Sequence, residues 1–456
     1  MRLVERETSR HWSGLHTGWA GDQPLGTGLS EVFAGLEQSV LVLGPPRCGK
    51  TSSVVVPSVV AAPGALVSTS TKPDVLEVTG RWRAEWGTCF VFDPSGTTRV
   101  PEHARPLRWS PVQGAESWET AVSTAHALAS AARPGASLSE AAHWVERAEA
   151  LIAPLLHAAA LAERTLADVM GWVLSHELRQ PARILEARAG DMARIVLAGI
   201  VGTEERERSG ILSTAAGLLG AYRSEAALRA ACAPNFDPVG FSYSGDTVYV
   251  TAPGHAQDQL APLVVTILEQ IRRAAYARPP DACPVVFALD EVAQIAPLPS
   301  LPQLAAEGGG QGVVTLACLQ DLSQARVRWG EAADGFFSLF STKLVFPGIG
   351  DRFTLELVCA IAGESEVPTR AVTKTPPLQA LITGRFELHE TRSTIWRPRL
   401  PVDEVARGRP GHALHIRPDE ALSFVRVLPY WEVETLSRAV TAAGASSDGR
   451  ATGQSR

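Results

Sequence analysis

Eight consecutive residues near the start of the chain have the types and the order of a phosphate-binding loop. They fit the pattern G-x-x-x-x-G-K-[ST] and are Gly44, Pro45, Pro46, Arg47, Cys48, Gly49, Lys50 and Thr51. The glycines let the backbone turn so that successive N–H groups face phosphate oxygens. Lys50 would hold the β- and γ-phosphates of ATP during catalysis, and the Thr51 hydroxyl would bind Mg²⁺. The motif therefore predicts a nucleotide-binding site with ATP and Mg²⁺ as cofactors.

Only four of the 42 lysine and arginine residues are lysines, and Lys50 is one of them. Arginine is the usual basic residue of this chain, but its planar guanidinium would not fit where the loop needs a compact ammonium group. The context agrees, because 38–43 predicts a buried strand before the loop and 51–61 predicts a helix after it, with Pro57 as its one strong breaker. The alternative interpretation of the motif is a structural turn.

Two acidic residues, Asp290 and Glu291, follow the apolar strand predicted at 284–289. Asp290 would hold Mg²⁺ directly or through water, and Glu291 would orient and polarise the attacking water. Gln320 closes another apolar strand, 313–319, and ligands of parallel sheets lie at the carboxyl ends of the strands. Gln320 is therefore expected to contact the γ-phosphate or the attacking water. The alternatives are an ordinary acidic strand end and a surface glutamine in a strand-to-helix loop.

Strand-like and helix-like segments alternate on both sides of a long helical stretch. Strands are predicted at 38–43, 65–71, 89–93, 247–251, 284–289, 313–319 and 342–346, with helices at 51–61, 75–86, 259–276 and 352–361. This alternation predicts an α/β fold with a mostly parallel sheet and helices on both faces. The helical stretch has runs at 118–132, 140–161, 165–175, 181–197 and 211–221. It predicts an inserted all-α domain.

The domain boundaries follow from these segments. We predict a loose lead-in at 1–35 with one short strand, followed by a first part of the nucleotide-binding domain at 36–112 and the all-α insertion at 113–231. A second part of the nucleotide-binding domain is predicted at 232–435 and a disordered tail at 436–456. Within the second part, 363–430 is expected to hold short strands among prolines and arginines.

The composition narrows the possible classes of protein. A length of 456 residues predicts two or three domains, and a net charge of −6 provides no overall basic field, so DNA binding would depend on local patches. The six cysteines form no C-x-x-C pair, so neither a zinc site nor a disulfide framework is predicted, and a reducing cytoplasm is expected. The charged N-terminus predicts no signal peptide, and no segment is apolar enough to predict a membrane span.

The order of several short motifs resembles the type IV coupling proteins of conjugation and type IV secretion, the TraG/TraD class. The resemblance covers most of the chain, from residue 38 to residue 430. It rests on the phosphate-binding loop, Ser70-Thr71-Lys72-Pro73-Asp74, Phe92-Asp93-Pro94-Ser95-Gly96, His143-Trp144, Glu204-Glu205-Arg206-Glu207-Arg208-Ser209, Asp290-Glu291 and Leu319-Gln320-Asp321-Leu322-Ser323-Gln324.

The resemblance implies a RecA-like P-loop NTPase motor domain that carries the all-α domain. Proteins of this class assemble as homo-hexamers at the cytoplasmic face of the cell membrane. They receive a relaxase–DNA substrate or a secreted protein cargo and pass it to the type IV secretion channel. The chain would accordingly be a cytoplasmic ATPase that translocates single- or double-stranded DNA.

Two departures from the family pattern affect this expectation. Family members usually begin with transmembrane helices, and none is predicted here, so the sequence would be truncated or a separate membrane partner would recruit the protein. Many members also carry an arginine in the glycine-rich turn before the strand-end glutamine, and it is thought to act across the subunit interface. Here that turn, 307–312, has no arginine. Arg326, Arg328 or Arg352 would serve instead, or turnover would be slow.

Two other functions stay open at the level of sequence. A DNA pump similar to FtsK or HerA shares the motor core, although the helical insertion argues against it. A nucleotide-binding docking module that recruits protein cargo without appreciable hydrolysis would agree with the acidic balance and the missing arginine.

Overall fold

The structure is a computed structural model that describes residues 12–21, 30–131, 139–254, 257–374, 388–418 and 420–445. Its strands are β1 His16–Ala20, β2 Ser30–Phe33, β3 Val40–Leu43, β4 Leu66–Ser70, β5 Cys89–Phe92, β6 Ala104–Pro106, β7 Thr247–Thr251, β8 Val285–Leu289, β9 Val313–Leu319, β10 Thr342–Val345, β11 Glu364–Lys374, β12 Leu388–Pro398, β13 His412–Ile416 and β14 Ser423–Arg426. The strands predicted from sequence between 38 and 346 are all present, within two residues at each end.

Twelve of the described strands form one sheet in the order β2-β1-β14-β13-β10-β3-β9-β8-β4-β7-β5-β6. The eight strands from β10 to β6 in that order pair in parallel, and the four on the other side pair antiparallel. The strands β3, β9, β8 and β4 lie side by side. Their carboxyl ends therefore meet at one edge of the sheet, which is where ligands of such folds bind.

The helices are α1 Val56–Ala61, α2 Asp74–Ala84, α3 Trp118–Ala131, α4 Ser139–Leu161, α5 Leu166–Leu174, α6 Arg179–Arg188, α7 Asp191–Val201, α8 Glu205–Leu218, α9 Glu225–Ala230, α10 Pro238–Ser242, α11 Gln257–Tyr276, α12 Val292–Ile295, α13 Leu301–Glu307, α14 Leu322–Trp329, α15 Phe336–Leu339, α16 Arg352–Ala362, α17 Val402–Arg407 and α18 Glu434–Ala445. The described residues between β6 and β7 contain helices and no strand. The domain boundaries drawn from the sequence remain a prediction.

The central sheet is buried on both faces, and this explains its continuous apolar strands. Alternate residues of β3 enter two separate apolar clusters: Leu41 and Leu43 join one, and Val40 and Val42 join the other. A strand covered on both sides has no polar face, so the sequence shows an unbroken apolar run instead of alternation. The buried strands therefore hold the residues that follow them in fixed positions.

One helix prediction inside the helical segment is wrong. The sequence predicts a single helix over 181–197, whereas α6 ends at Arg188 and α7 begins at Asp191. Gly190, with φ −69° and ψ 170°, has extended backbone between them. Glycine lacks a Cβ and loses more conformational entropy in a helix than other residues, so it favours a break between α6 and α7. The prediction of a single helix rested on the spacing of apolar residues and did not take this cost into account.

The predictions for the two chain ends also need correction. The lead-in contributes two strands, because β1 pairs with β14 and with β2 at the antiparallel side of the sheet. The tail predicted to be disordered from residue 436 is helical as far as Ala445. Helix α18 packs on α2, and its alanine-rich sequence has a high helix propensity. Residues 446–456 lie outside the described residues.

The region 363–430 contains longer strands than predicted. Strands β11 and β12 each have 11 residues and pair from Glu364 opposite Pro398 to Lys374 opposite Leu388. The prolines at 368 and 398 weakened the strand signal. In a two-stranded hairpin each strand has a free edge, where a residue without an N–H is tolerated.

Candidate nucleotide-binding site

The phosphate-binding motif lies between β3 and α1, at the carboxyl edge of the parallel strands. Two of its residues, Arg47 with φ +64° and Gly49 with φ +99°, have left-handed backbone. These two residues turn the loop back on itself. Gly44 is required for a different reason, because a Cβ there would lie 2.7 Å from both Cys48 Sγ and Phe346 Cβ.

The loop is bonded to the neighbouring strand and to the helix that follows. The Gly44 N–H donates to the Leu319 carbonyl at 3.2 Å, and the Ser53 N–H donates to the Gly49 carbonyl at 2.9 Å. The turn Thr51–Val55 has π-helical bonding and leads directly into α1. The first N–H groups of a helix have no partner within it and carry partial positive charge. Loop and helix start together form a cradle for an anion such as a phosphate.

Lys50 is held inside this loop. Its side chain is buried, and Nζ donates to the carbonyl oxygens of Gly44 at 2.6 Å and Pro45 at 3.0 Å. A buried ammonium needs such partners because removing it from water is costly. The loop backbone therefore positions the positive charge among the N–H groups that would surround a phosphate.

Asp290 is brought to the loop from a position far along the chain. The Thr51 hydroxyl donates to Asp290 Oδ2 at 2.5 Å, and the Thr69 hydroxyl donates to the Asp290 carbonyl at 2.8 Å. Burial of the Asp290 carboxyl raises its pKa to about 6, against the opposing effect of the Thr51 hydrogen bond. The hydroxyl and the carboxyl predicted to bind the metal are thus adjacent.

Glu291 faces the same site from the residue after Asp290. Its φ of +50° places it in the left-handed region, and its N–H donates to Asp290 Oδ1 at 3.1 Å. Its Oε2 atom is buried and has no hydrogen-bond partner among the described residues. Strained backbone together with an unpaired carboxylate oxygen is typical of a functional position.

These residues surround a cavity of about 530 Å³. Six of the eight motif residues line it, namely Pro46, Arg47, Cys48, Gly49, Lys50 and Thr51, whereas Gly44 and Pro45 do not. Asp290 and Glu291 line it as well, together with Ser70, Lys72 and Asp74 from the second motif of the family resemblance. The Ser70 hydroxyl donates to Asp74 Oδ1 at 3.0 Å. The structure thus brings most of the predicted site residues into one cavity.

The sequence analysis missed two cavity residues, Tyr430 and Trp431. They lie in a short 3₁₀ turn before α18, more than 370 positions after the loop they face. An adjacent pair of large aromatic residues was the only signal in the sequence, and nothing in its spacing connects it to the loop.

Gln320 lies next to the site but outside the cavity. It follows β9, whose residues pair with β3 up to Leu43 opposite Leu319. Its N–H donates to the side-chain oxygen of Gln324 at 3.0 Å, and it is not among the cavity-lining residues. Contact between Gln320 and a γ-phosphate stays a prediction.

The three candidate arginines differ in how firmly they are held. Arg326 pairs with Asp334 at 2.6 Å and lies over the ring of Phe353 at 3.6 Å, and Arg328 pairs with Asp258 at 2.6 Å. Arg352, by contrast, is 88% exposed. Its one recorded ion pair, from Nε to Glu356 Oε1 at 2.6 Å, is within its own helix. Such an exposed pair contributes little free energy, so Arg352 can leave Glu356 for another partner more easily than the other two arginines can leave theirs.

Position 309 of the glycine-rich turn, where the family resemblance leads us to expect an arginine, cannot carry a side chain without movement of the backbone. A Cβ built on Gly309 would lie 1.8 Å from the carbonyl oxygen of Glu37. The turn precedes β9 and so lies at the opposite edge of the sheet from the loop. The loop before Arg352 lies at the site's own edge, because a Cβ on Gly348 would be 3.2 Å from Pro45 Cγ.

The described residues contain neither a cluster of metal-ligating side chains nor a membrane-spanning helix. No group of three or more His, Cys, Asp or Glu side chains there could enclose a metal ion. In the described ranges, no helix is both apolar enough and long enough to span a bilayer.

Comparisons with known proteins agree with the fold. A family model described as "Type IV secretory system Conjugative DNA transfer" matches residues 4–375. The unbound bacterial conjugative coupling protein TrwBdeltaN70 is similar in structure, with TM-score 0.66 and 17% sequence identity over 86% of this chain and 85% of that chain. Plasmid coupling protein TrwB in complex with ADP and Mg²⁺ gives TM-score 0.66, and its complex with the non-hydrolysable ATP analogue ADPNP gives 0.65, each at 17% identity over 86% of both chains. No curated protein matches the sequence.

At 17% identity these structures establish the fold and not the activity. The predicted fold class is confirmed: a RecA-like P-loop motor fold with a mostly parallel sheet, helices on both faces and an all-α segment between its strands.

Proposed function

This chain belongs to the type IV secretory system family of conjugative DNA transfer, and from that premise we propose that it is an ATP-hydrolysing coupling protein. It recruits a relaxase–DNA substrate or a secreted protein cargo and translocates DNA to the secretion channel. The observation that carries the ATPase part is the Thr51–Asp290 hydrogen bond of 2.5 Å, which joins the phosphate-binding loop to the acidic end of β8.

The site suits a nucleoside triphosphate with Mg²⁺; the similar protein TrwB has been solved in complex with ADP and Mg²⁺ and in complex with the ATP analogue ADPNP. Lys50 supplies a buried positive charge, and Thr51 and Asp290 supply adjacent oxygens of the kind that Mg²⁺ binds. When bound there, Mg²⁺ would neutralise charge that develops on the phosphates. Oxygen ligands that already contact each other need little rearrangement to hold the ion.

Different residues of the chain would bind the phosphates and activate the attacking water. Backbone N–H groups of the loop and Lys50 bind and orient the phosphates, which is where most catalysis of phosphoryl transfer originates. Glu291 has a buried carboxylate oxygen for which the described residues provide no hydrogen-bond partner, and it would orient the attacking water and accept its proton. Gln320, at the end of the strand next to β3, would contact the water or the γ-phosphate from the rim.

The protein is expected to work as a homo-hexamer at the cytoplasmic face of the cell membrane, beside the components of the secretion channel and with a membrane partner. In a ring, the carboxyl edge of the sheet lies near subunit contacts, so a neighbouring subunit could complete the site. A docking module without hydrolysis and an FtsK- or HerA-like pump are the competing functions. ATPase activity measured with and without single-stranded DNA separates the docking module from the two motors.

DNA binding should weaken steeply with salt. The net charge of −6 means that binding depends on local arginines, each of which releases counterions from the phosphates it neutralises. With ADPNP and Mg²⁺ present, the affinity for a labelled single-stranded oligonucleotide should fall by about tenfold or more over a roughly fourfold rise in salt. Fluorescence anisotropy measures this. Binding that ignores salt, or no binding at all, would favour the protein-docking alternative.

Arg352 is proposed to act on the site of a neighbouring subunit. If oligomerisation completes the site, ATPase activity should rise more than linearly with protein concentration, and Arg352→Ala subunits should lower the activity of wild-type subunits mixed with them. Arg229→Ala is the matched control, because Arg229 is also exposed, at 72%, and paired within its own helix.

The Arg352 proposal fails if the rate stays linear in protein over the range in which the ring forms and Arg352→Ala is fully active. In that case the Arg352–Glu356 pair would be only a helix-surface ion pair. Mixing titrations, followed by a coupled ATPase assay, distinguish the two outcomes.

A further inference from the structure

The cavity contains two kinds of lining. The loop, Asp290 and Glu291 provide charge and hydrogen-bonding groups, whereas a second group is apolar or aromatic and consists of Val56, Val75, Val78, Tyr430 and Trp431. A bare phosphate chain would use only the first group. The apolar and aromatic group would be used only by a ligand that also has a flat, poorly hydrated part.

Trp431 is unusually exposed for so large an apolar side chain. Its exposed fraction is 58%, although the neighbouring residues Val56 and Val75 of the same lining are buried. A large aromatic ring left in water beside a polar cleft is typical of a ligand-binding position.

The indole is held in place by its surroundings. Tyr430 contacts Trp431 edge to face, with ring centroids 5.0 Å apart and an interplanar angle of 80°. The turn is closed by the Glu432 N–H, which donates to the Pro429 carbonyl at 2.9 Å. Helix α18, which follows the turn, packs against α1 and α2, the helices that carry the apolar cavity residues. The two aromatic residues are therefore fixed on the side of the cavity formed by these helices.

We propose that Trp431, supported by Tyr430, is the platform on which the nucleotide base stacks. The inference rests on the proposed nucleotide site and adds its base-recognition residue. Stacking on an indole tolerates any base, because every base has a π-face, and no hydrogen-bond selection is required. The site should therefore accept adenine and guanine nucleotides with similar affinity and bind both more tightly than inorganic tripolyphosphate.

The test compares ligands with and without a base. With Mg²⁺ present, isothermal titration calorimetry is carried out on the full chain with ADPNP, GDPNP and inorganic tripolyphosphate. Trp431→Ala should weaken binding of both nucleotides by roughly tenfold and leave tripolyphosphate binding unchanged, while Trp431→Phe should retain most of the affinity. Trp396→Ala is the matched control, since Trp396 is 60% exposed on strand β12 and does not line the cavity.

The outcomes distinguish failure of the proposed nucleotide site from failure of the proposed base platform. If the parent protein binds none of the three ligands, the nucleotide site itself is wrong, and so is its base platform. If the parent binds all three but Trp431→Ala loses nucleotide and tripolyphosphate equally, Trp431 has only a structural role. If Trp431→Ala changes neither, its exposure would point to a protein contact. Either of these last two results overturns the stacking inference and leaves the nucleotide site intact.

Discussion

Lys50→Ala is expected to abolish most nucleotide binding and turnover. The Lys50 ammonium group is buried in the loop and is fixed by the carbonyls of Gly44 and Pro45, so its charge acts on bound phosphates without screening by bulk water. Loss of one oriented charged contact in such a site costs about 2–4 kcal/mol, equivalent to roughly 30- to 700-fold. Affinity for ADPNP and the steady-state ATPase rate should both fall by factors in this range.

Two further variants test whether the effect is specific to a compact positive charge at position 50. Lys50→Arg keeps the charge but replaces the compact ammonium with a wide planar group, and it should also be impaired. Arg194→Ala removes the same charge from the exposed surface of α7 and should leave binding and turnover unchanged. If Lys50→Ala protein hydrolysed ATP at the parent rate, the loop would not be a phosphate-binding loop.

The chemistry of the site was predictable because it is local in sequence. The loop motif, the Asp290–Glu291 pair and the apolar strands before them are each readable within a few residues. The buried parallel strands gave strong signals, since both of their faces are apolar. What the sequence could not show is that β8 and β3 both neighbour β9, which brings Asp290 to Thr51 across 239 positions.

Several of the missed features depend on long-range contacts. Tyr430 and Trp431 reach the cavity only because α18 packs on α1 and α2, and β1 joins the sheet only through β14. The absence of the family arginine looked like a simple substitution in sequence. In the structure, position 309 itself has no room for a side chain, because a Cβ there would lie 1.8 Å from the Glu37 carbonyl oxygen. Local patterns carry no information on such tertiary contacts.

Glu291→Gln is expected to separate nucleotide binding from hydrolysis. The substitution keeps the size of the side chain, and the backbone N–H that donates to Asp290 Oδ1 is untouched. An amide cannot accept a proton from water as a carboxylate does, so hydrolysis should fall by about 10²-fold or more while ADPNP affinity stays close to that of the parent. Calorimetry and a steady-state ATPase assay measure the two quantities on the same preparation.

The left-handed backbone of Glu291 calls for a control that shares it. Glu163, with φ +54° in the exposed turn that follows α4, is a second glutamate in that conformation. Glu163→Gln tests whether a change from glutamate to glutamine at such a position disturbs the protein by itself, and it should be neutral in both assays. Equal losses of binding and turnover in Glu291→Gln would instead indicate that Glu291 maintains the shape of the site through its carboxylate. The buried Oε2 atom has no hydrogen-bond partner in the part of the chain that the structure describes, whereas a structural carboxylate would be expected to have its oxygens hydrogen-bonded within the protein. This argues for loss of hydrolysis with nucleotide binding retained.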